Sequence, residues 1–437
     1  MMNFAPTKYC LVSVSSAVEF EDEGWTLDYS NDETPSLIRA DYENKQLTVR
    51  EDLPGLYRFA DWLPIKTVLE GSGSPVTYKS TGLAKELGLE NLYITFNGYW
   101  PEKGAEMRTG SFKECEAYSV CARLHGIRDK VLVVASAGNT ARAFASVCSR
   151  NKIPLLLCVP EDNLDALWFD HPIDPCVKLV ASQKGADYFD AIHLSNIVCK
   201  HSHFLPEGGA KNIARRDGMG TTVLSAVTTI GEIPHYYFQA VGSGTGAIAA
   251  WEANLRFLED GNYGNRLMKL MVSQNHPFVP IADAYVADSR DLFPFDDDEA
   301  RRQVEIINAK VLSNRKPPYS LTGGLYDALK ATDGEVLVAD NEEAEAAVQL
   351  FKKFEGSDIE PAAAIALATL INEVKSGKIE KDKIIMLNIT GGGGVRFRKE
   401  HNIYNLKPEI IFPIDPDPDL VIKKVLGLFK PDETLVG

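Results

Sequence analysis

Cysteine is scarce in this chain, and what there is does not pair. Seven cysteines occur in 437 residues, at positions 10, 115, 121, 148, 158, 176 and 199. The number is odd and no two are spaced CxxC. That argues against a disulfide framework and a zinc site, and no metal is expected; most of the thiols read as small buried hydrophobes. Basic blocks are missing too. With a net charge of −15, the chain's field repels nucleic acid and anionic membranes, so neither is expected as a partner. No stretch approaches the ~20 apolar residues of a spanning helix. The opening MMNFAPTKYC carries no basic segment followed by an apolar run, so a cytoplasmic protein is expected. Internal repeats are absent. Core material is plentiful: 45% of residues are hydrophobic, enough for two domains and an extension.

Residues 1–60 hold short alternating runs, Tyr9 to Val14 and Gln46 to Val49, between acidic turns. They read as a small strand-rich extension without chemistry. Thr81–Gly88 reads as a short helix ended by glycine and Asn91–Phe96 as a strand, followed by a loop over 97–110. From 130 onward strands and helices alternate. Strands are expected at Val131–Ala135, Ile153–Val159, Val177–Ala181, Tyr236–Val241, Leu267–Ser273 and Ile384–Ile389. Helices are expected over Ala141–Val147, near Asp190–Lys200, from an Asp340/Glu343 capping box to about Phe354, and from Pro361. Pro413 to Asp419 reads as a rigid surface connector. The alternation predicts an α/β protein with mainly parallel sheets, whose ligands gather beyond the carboxyl ends of strands. Three glycine-bearing loops fall at such ends: 136–140, 242–246 and 390–394.

Thr109-Gly-Ser-Phe-Lys113 reads as a turn that delivers one lysine to the start of a largely apolar helix. Poor solvation and the positive end of the dipole would lower its pKa and make it nucleophilic. Taken alone, Lys113 is better explained as a solvated surface lysine. The three loops change that. Gly242-Ser-Gly-Thr-Gly246 follows a strand and opens a helix, so its backbone N–H groups can close around a phosphate, with Ser243 and Thr245 adding hydroxyls. A tight turn or a dinucleotide site are the rivals, although the GxGxxG spacing is lacking. Asn139, in Ser136-Ala-Gly-Asn-Thr140, offers an amide donor for a phenolate oxygen; a helix cap would explain it equally well. Thr390, before four glycines, could hydrogen-bond a heteroaromatic nitrogen. An amine, a phosphate cup, a donor for a ring oxygen and a hydroxyl for a ring nitrogen are what pyridoxal 5′-phosphate requires.

TGSFK, SAGNTA, GSGTG, EGSDIEPAAA and ITGGGG occur in this order between about residues 63 and 400. Together they resemble the fold-type II pyridoxal-phosphate enzymes, of the threonine-synthase branch. The resemblance implies a tryptophan synthase β-like architecture: two three-layer α/β domains with mainly parallel sheets, plus the N-terminal extension. Residues 61–125 and 212–437 are then the large cofactor-binding domain and 126–211 the small one. It also implies that Lys113 forms the internal aldimine and is the catalytic base, that Asn139 meets the cofactor's 3′-oxygen, that Gly242, Ser243, Gly244, Thr245 and Gly246 hold its phosphate, and that Thr390 faces the ring nitrogen. Ser136, Ala137, Gly138 and Thr140 fall to the substrate, with Arg108 as a candidate local cation. Lys211, Arg215 and Arg216 form a second basic cluster, read more readily as surface charge. Glu360 could be a plain helix-start acid.

The departures are informative. Threonine synthases usually read NPTGSFKDR; here the stretch is MRTGSFKEC, with Met107, Arg108, Glu114 and Cys115 at the changed positions. Cys10 has Ser13 where some relatives carry a second cysteine. The pattern is most similar to the archaeal cysteate synthases, which implies that O-phosphoserine and sulfite become cysteate for coenzyme M through an aminoacrylate. The rivals are threonine synthase or a related lyase and, from another class, a cofactor-free or nucleotide-binding regulatory protein on the same fold. Small anionic substrates and a homo-oligomer are expected.

Overall fold

Strands that are apolar on both faces must be covered on both, and this decides the architecture. In the computed structural model, which describes residues 4–124 and 129–429, the chain divides into two compact units. The first comprises Met1–Arg123 and Gly209–Glu400, the second Leu124–Gly208 and His401–Gly437.

The first unit is built on a six-stranded sheet in the order Glu335–Ala339, Lys269–Asn275, Tyr236–Ala240, Ile384–Ile389, Asn91–Phe96, Val76–Lys79. All neighbours are parallel except the last pair. Successive residues feed opposite cores. Tyr237, Leu270, Val272 and Met386 join the apolar cluster that contains Val223 and Val227 of helix Ile213–Ile230. Phe238, Met271, Ile385 and Leu387 join the one that contains Ile365 and Leu367 of helix Pro361–Lys375. Three layers result.

The N-terminal strands Glu19–Phe20, Tyr9–Ser13 and Ile38–Tyr42 form an antiparallel sheet, but Gln46–Val49 forms no strand. Leu11, Ile38 and Tyr42 enter the first unit's core. Beneath them runs a charge network: Arg39 and Arg216 flank Glu252 at 3.2 and 2.8 Å, and Asp217 accepts from Tyr42 at 2.6 Å and from Arg256 at 2.7 Å. The extension is thus part of the first unit.

The second unit holds five parallel strands in the order Phe204–Pro206, Val131–Ala135, Leu155–Pro160, Val177–Ser182, Ile410–Phe412. The sequence reading gave everything after 212 to the large domain. Residues from His401 instead group with the second unit, because Ile410–Phe412 extends its sheet and helix Pro418–Leu428 adds Val421 and Val425 to its core. The expected 125/126 boundary lies outside the described residues. The supposed rigid connector ends as a helix start: Asp417 accepts from the Leu420 N–H at 2.8 Å, with Pro418 at the first helical position. Among the described residues, no helix is long and apolar enough to cross a membrane.

Candidate active site

The turn before Lys113 is tied by the residue after it. Gly110 takes φ 72° and its N–H donates to the Met107 carbonyl at 3.0 Å. The Glu114 carboxylate accepts from both the N–H and the hydroxyl of Thr109, at 3.0 and 2.9 Å. Lys113 then opens helix Lys113–Arg123, whose remaining side chains are all buried. This helix lies tight on Ile213–Ile230: a Cβ at Gly218 would stand 2.5 Å from the Cys115 carbonyl oxygen. The Lys113 side chain is 20% exposed, and its Nζ lies 3.2 Å from Glu116 Oε2. The other oxygen of Glu116 lies 3.3 Å from a guanidinium nitrogen of Arg215.

Main-chain pairing brings Thr390 to this turn. The Phe112 N–H donates to the Thr390 carbonyl at 2.9 Å, the Gly392 N–H to the Gly110 carbonyl at 3.1 Å, and Ser111 bridges Gly391. The 242–246 loop arrives from the other side. Phe112 packs with Met219 and Ala249, and a Cβ on Gly246 would be 3.1 Å from the Phe112 ring and 2.6 Å from Gln239 Nε2. Gly244 takes φ 76° and precedes helix Thr245–Asp260, whose first N–H groups have no intrahelical partners. Ser243 and Thr245 hydroxyls lie 2.9 Å apart. Amides brace the strand ends below: Asn388 donates to Gln239 at 2.8 Å and to the Tyr237 hydroxyl at 3.0 Å, and Asn97 donates to Asn388 at 2.8 Å.

These residues fit pyridoxal phosphate. An amine, a helix N-terminus for the phosphate and a buried threonine hydroxyl for the ring nitrogen stand on adjoining loops of one unit. Between them Ser111 Oγ is buried without a hydrogen-bond partner, as a donor kept for a ligand would be. Thiolate chemistry is disfavoured, since burial pushes the thiols of Cys115 and Cys158 up, and those of Cys176 and Cys199 up to about 12.

The 136–140 loop belongs to the second unit. Ser136 Oγ accepts from the N–H groups of Gly138 and Ala141 at 3.0 and 3.1 Å, so it shapes its own loop. Asn139 starts helix Asn139–Asn151, and its Oδ1 accepts from Arg142 at 2.8 Å. Arginine can only donate, so the amide atom that faces it is Oδ1, and the donor of this amide is Nδ2. Arg142 is nearly buried, reaches the Ala166 carbonyl at 2.8 Å and lies over the Trp168 ring at 4.3 Å.

The basic residues sort differently from expectation. Arg108 lies over the Phe397 ring at 5.7 Å. Lys211 is a surface charge paired with Asp28 at 2.7 Å. Arg215 and Arg216 are buried and paired with Glu116 and Glu252, which corrects their reading as surface charge. Sequence reasoning missed Glu116, Arg215 and Arg142 as neighbours of the candidate groups. Only Glu116 left a trace, three residues beyond the lysine on one helix face.

Residues 72–391 match the pyridoxal-phosphate dependent enzyme family. Cysteate synthase of Methanosarcina acetivorans is 45% identical over 96% of this chain and 99% of its own length. That of Methanocella arvoryzae is 46% identical over the same shares. Among solved structures, maize serine racemase superposes with TM-score 0.58 at 15% identity, over 75% of this chain and 91% of that one; this likeness speaks for the fold-type II architecture alone. The chain belongs to the fold-type II pyridoxal-phosphate dependent enzymes and, within them, to the cysteate synthase family.

Proposed function

We propose that this protein joins O-phospho-L-serine and sulfite to give L-cysteate and phosphate. The Cβ–O bond to phosphate breaks and a Cβ–S bond forms. The near full-length likeness to cysteate synthases carries the reading. Pyridoxal phosphate, when bound, supplies the conjugated system that takes up the electron pair of the substrate's Cα–H bond.

The chain's residues divide the remaining work. Lys113 holds the cofactor through its amine and, once displaced by the substrate amine, takes the α-proton. The 242–246 loop and its helix N-terminus hold the cofactor phosphate. Thr390 offers the ring nitrogen a neutral hydroxyl. A carboxylate there would favour a protonated ring, a stronger electron sink; the hydroxyl suits prompt loss of phosphate from Cβ instead. For the second unit the proposal rests on residue pattern: Asn139 Nδ2 donates to the ring's 3′-oxygen, and 136–140 receives the substrate carboxylate. Arg108 is proposed as an anion partner. A cytoplasmic location accords with seven free cysteines. Self-association accords with the exposed side chains of Val286, Phe293, Phe295 and Ile306.

The test is an assay with pyridoxal phosphate and phosphoserine, with and without sulfite, beside one with phosphohomoserine. Cysteate and phosphate should appear together and only when sulfite is present. Threonine from phosphohomoserine without any cysteate would overturn the reading.

A further inference from the structure

Two acids in the first turn of helix Lys113–Arg123 are buried, and they differ in kind. Glu114 accepts two hydrogen bonds from Thr109, so its place is explained by the turn it closes. Glu116 is wholly buried. One of its oxygens, Oε1, has no hydrogen-bond partner, although Arg215 stands 3.3 Å away as an ion pair. The other faces Lys113 Nζ at 3.2 Å. A buried carboxylate is costly unless charges compensate it. Here two cations do so, and one of them is the lysine assigned to the chemistry.

We infer that Glu116 is a positioning residue that holds the Lys113 ammonium formed when the lysine takes the substrate's α-proton, and that Arg215 limits the strength of that hold. The inference rests on the reading of Lys113 as cofactor lysine and base. In the step concerned, the Cα–H bond breaks and its electron pair passes into the conjugated cofactor. The proton forms an N–H bond at Nζ, and the new positive charge appears beside a carboxylate already in place. The titratable groups recorded against Glu116 among the described residues, besides Lys113, come from two helices. On its own helix it is the Cys115 thiol, kept protonated by burial, while Glu114 is engaged with Thr109. From helix Ile213–Ile230 it is Arg215; the neighbouring Arg216 and Asp217 are engaged with Glu252 and Arg256.

The signs follow. Removing the carboxylate makes the ammonium easier to deprotonate; removing the guanidinium makes it harder. In the cofactor-loaded protein, E116Q should move the acid limb of the kcat–pH profile down by about one pH unit or more, the usual effect of an opposite charge at this range. R215Q should move it up, and E116D should restore most of the wild-type position. After cofactor removal, the pH dependence of Lys113 acylation, read by mass spectrometry, should shift in the same two directions. Should E116Q fail to fold, R215Q still reads the sign, with E116D as the variant that keeps the charge and should not shift. Variants that bind cofactor normally but leave both profiles unmoved, or move them in one common direction, overturn the inference. A wild-type protein that binds no pyridoxal phosphate sinks the proposed function instead.

Discussion

A methyl group on Gly391 should separate the two main-chain segments that set Lys113 beside Thr390. Gly393 needs its left-handed φ of 73°, whereas Gly391 has no positive φ, so alanine at 391 is torsionally allowed and only contacts are tested. The added Cβ would stand 2.9 Å from the Gly110 carbonyl oxygen and 3.0 Å from the Glu360 side-chain carboxyl carbon. Gly110 is pinned by its turn, its N–H bonded to the Met107 carbonyl at 3.0 Å, so its carbonyl does not yield freely, whereas the Glu360 carboxyl ends a flexible side chain and can shift. Overpacking of this kind costs about 1–3 kcal/mol, and weakening the Phe112–Thr390 and Gly392–Gly110 bonds adds up to about 1 kcal/mol each. A total near 3 kcal/mol corresponds to a fall in Tm of roughly 3–5 °C for a unit of this size. A lysine moved by a few tenths of an ångström should also bind cofactor about tenfold more weakly, or about 1.4 kcal/mol. Calorimetry and absorbance titration with pyridoxal phosphate read the two effects. Gly427, on helix Pro418–Leu428, is the control: a Cβ there meets nothing within 4 Å, and alanine should be neutral or stabilising by up to about 1 kcal/mol. G391A with wild-type Tm and cofactor affinity would refute the bracing of the lysine turn by the 390–392 segment.

Other perturbations separate further parts of the argument. E114A removes the acceptor of two buried hydrogen bonds from Thr109 and should cost about 2–3 kcal/mol in urea unfolding; E114Q keeps an acceptor and should cost less, and equal losses would count against the capping role. R142Q frees Asn139 Oδ1, so the absorbance of bound cofactor should change and its affinity fall; an unchanged spectrum and affinity would remove Arg142 as the group that orients Asn139. Burial works against the Glu252 carboxylate, yet the Arg216 and Arg39 guanidiniums hold its pKa below the usual carboxylate range. Its contribution is therefore complete above the unfolded value, about 4.5, and is lost as pH falls through the lower folded value. Urea midpoints should drop over that acid range in the wild type and much less in E252Q, which at neutral pH should already be weaker by about 3–5 kcal/mol. Parallel pH curves for the two proteins would show that Glu252 does not carry this dependence.

The parts legible in the sequence were those encoded within a few residues. The strand Ile384–Ile389 and the capping box at Asp340 and Glu343 fall where pattern and side-chain chemistry put them. The glycine loops could be found because each combines a strand end, a helix start and small residues in one short stretch. What stayed hidden is the pairing of distant stretches. No local signal says that Ile410–Phe412 joins the sheet beside Val177–Ser182, since three residues make too short a run. The same holds for buried charge. Arg215 and Arg216 look like surface residues until helix packing places Glu116 and Glu252 against them. The helix at Pro418 was a different failure: Asp417-Pro418 is a cap followed by a helix-starting proline, and the run of prolines and acids around it masked the signal.

Where the chain leaves the threonine-synthase pattern, the sequence suggested that substrate choice is written, and the packing argues for a different division. Glu114 is occupied with Thr109. Cys115 is buried, its carbonyl oxygen set against Gly218. Arg108 lies over Phe397. Of these departures, Glu114 therefore serves the shape of the lysine turn. The charge problem of an acidic chain that takes anions is shared, beyond Arg108, by the groups around the lysine. Lys113, Glu116 and Arg215 sum to one positive charge with the lysine protonated, and to none with its amine neutral. That positive charge would be present after the α-proton has moved to the lysine, as phosphate leaves and sulfite arrives. In E116Q the trio carries one more positive charge at each stage, so the KM for sulfite should fall or stay level while the acid limb of kcat moves down. A rise in KM with no movement of that limb would mean that Glu116 shapes the anion site rather than holding the lysine's proton.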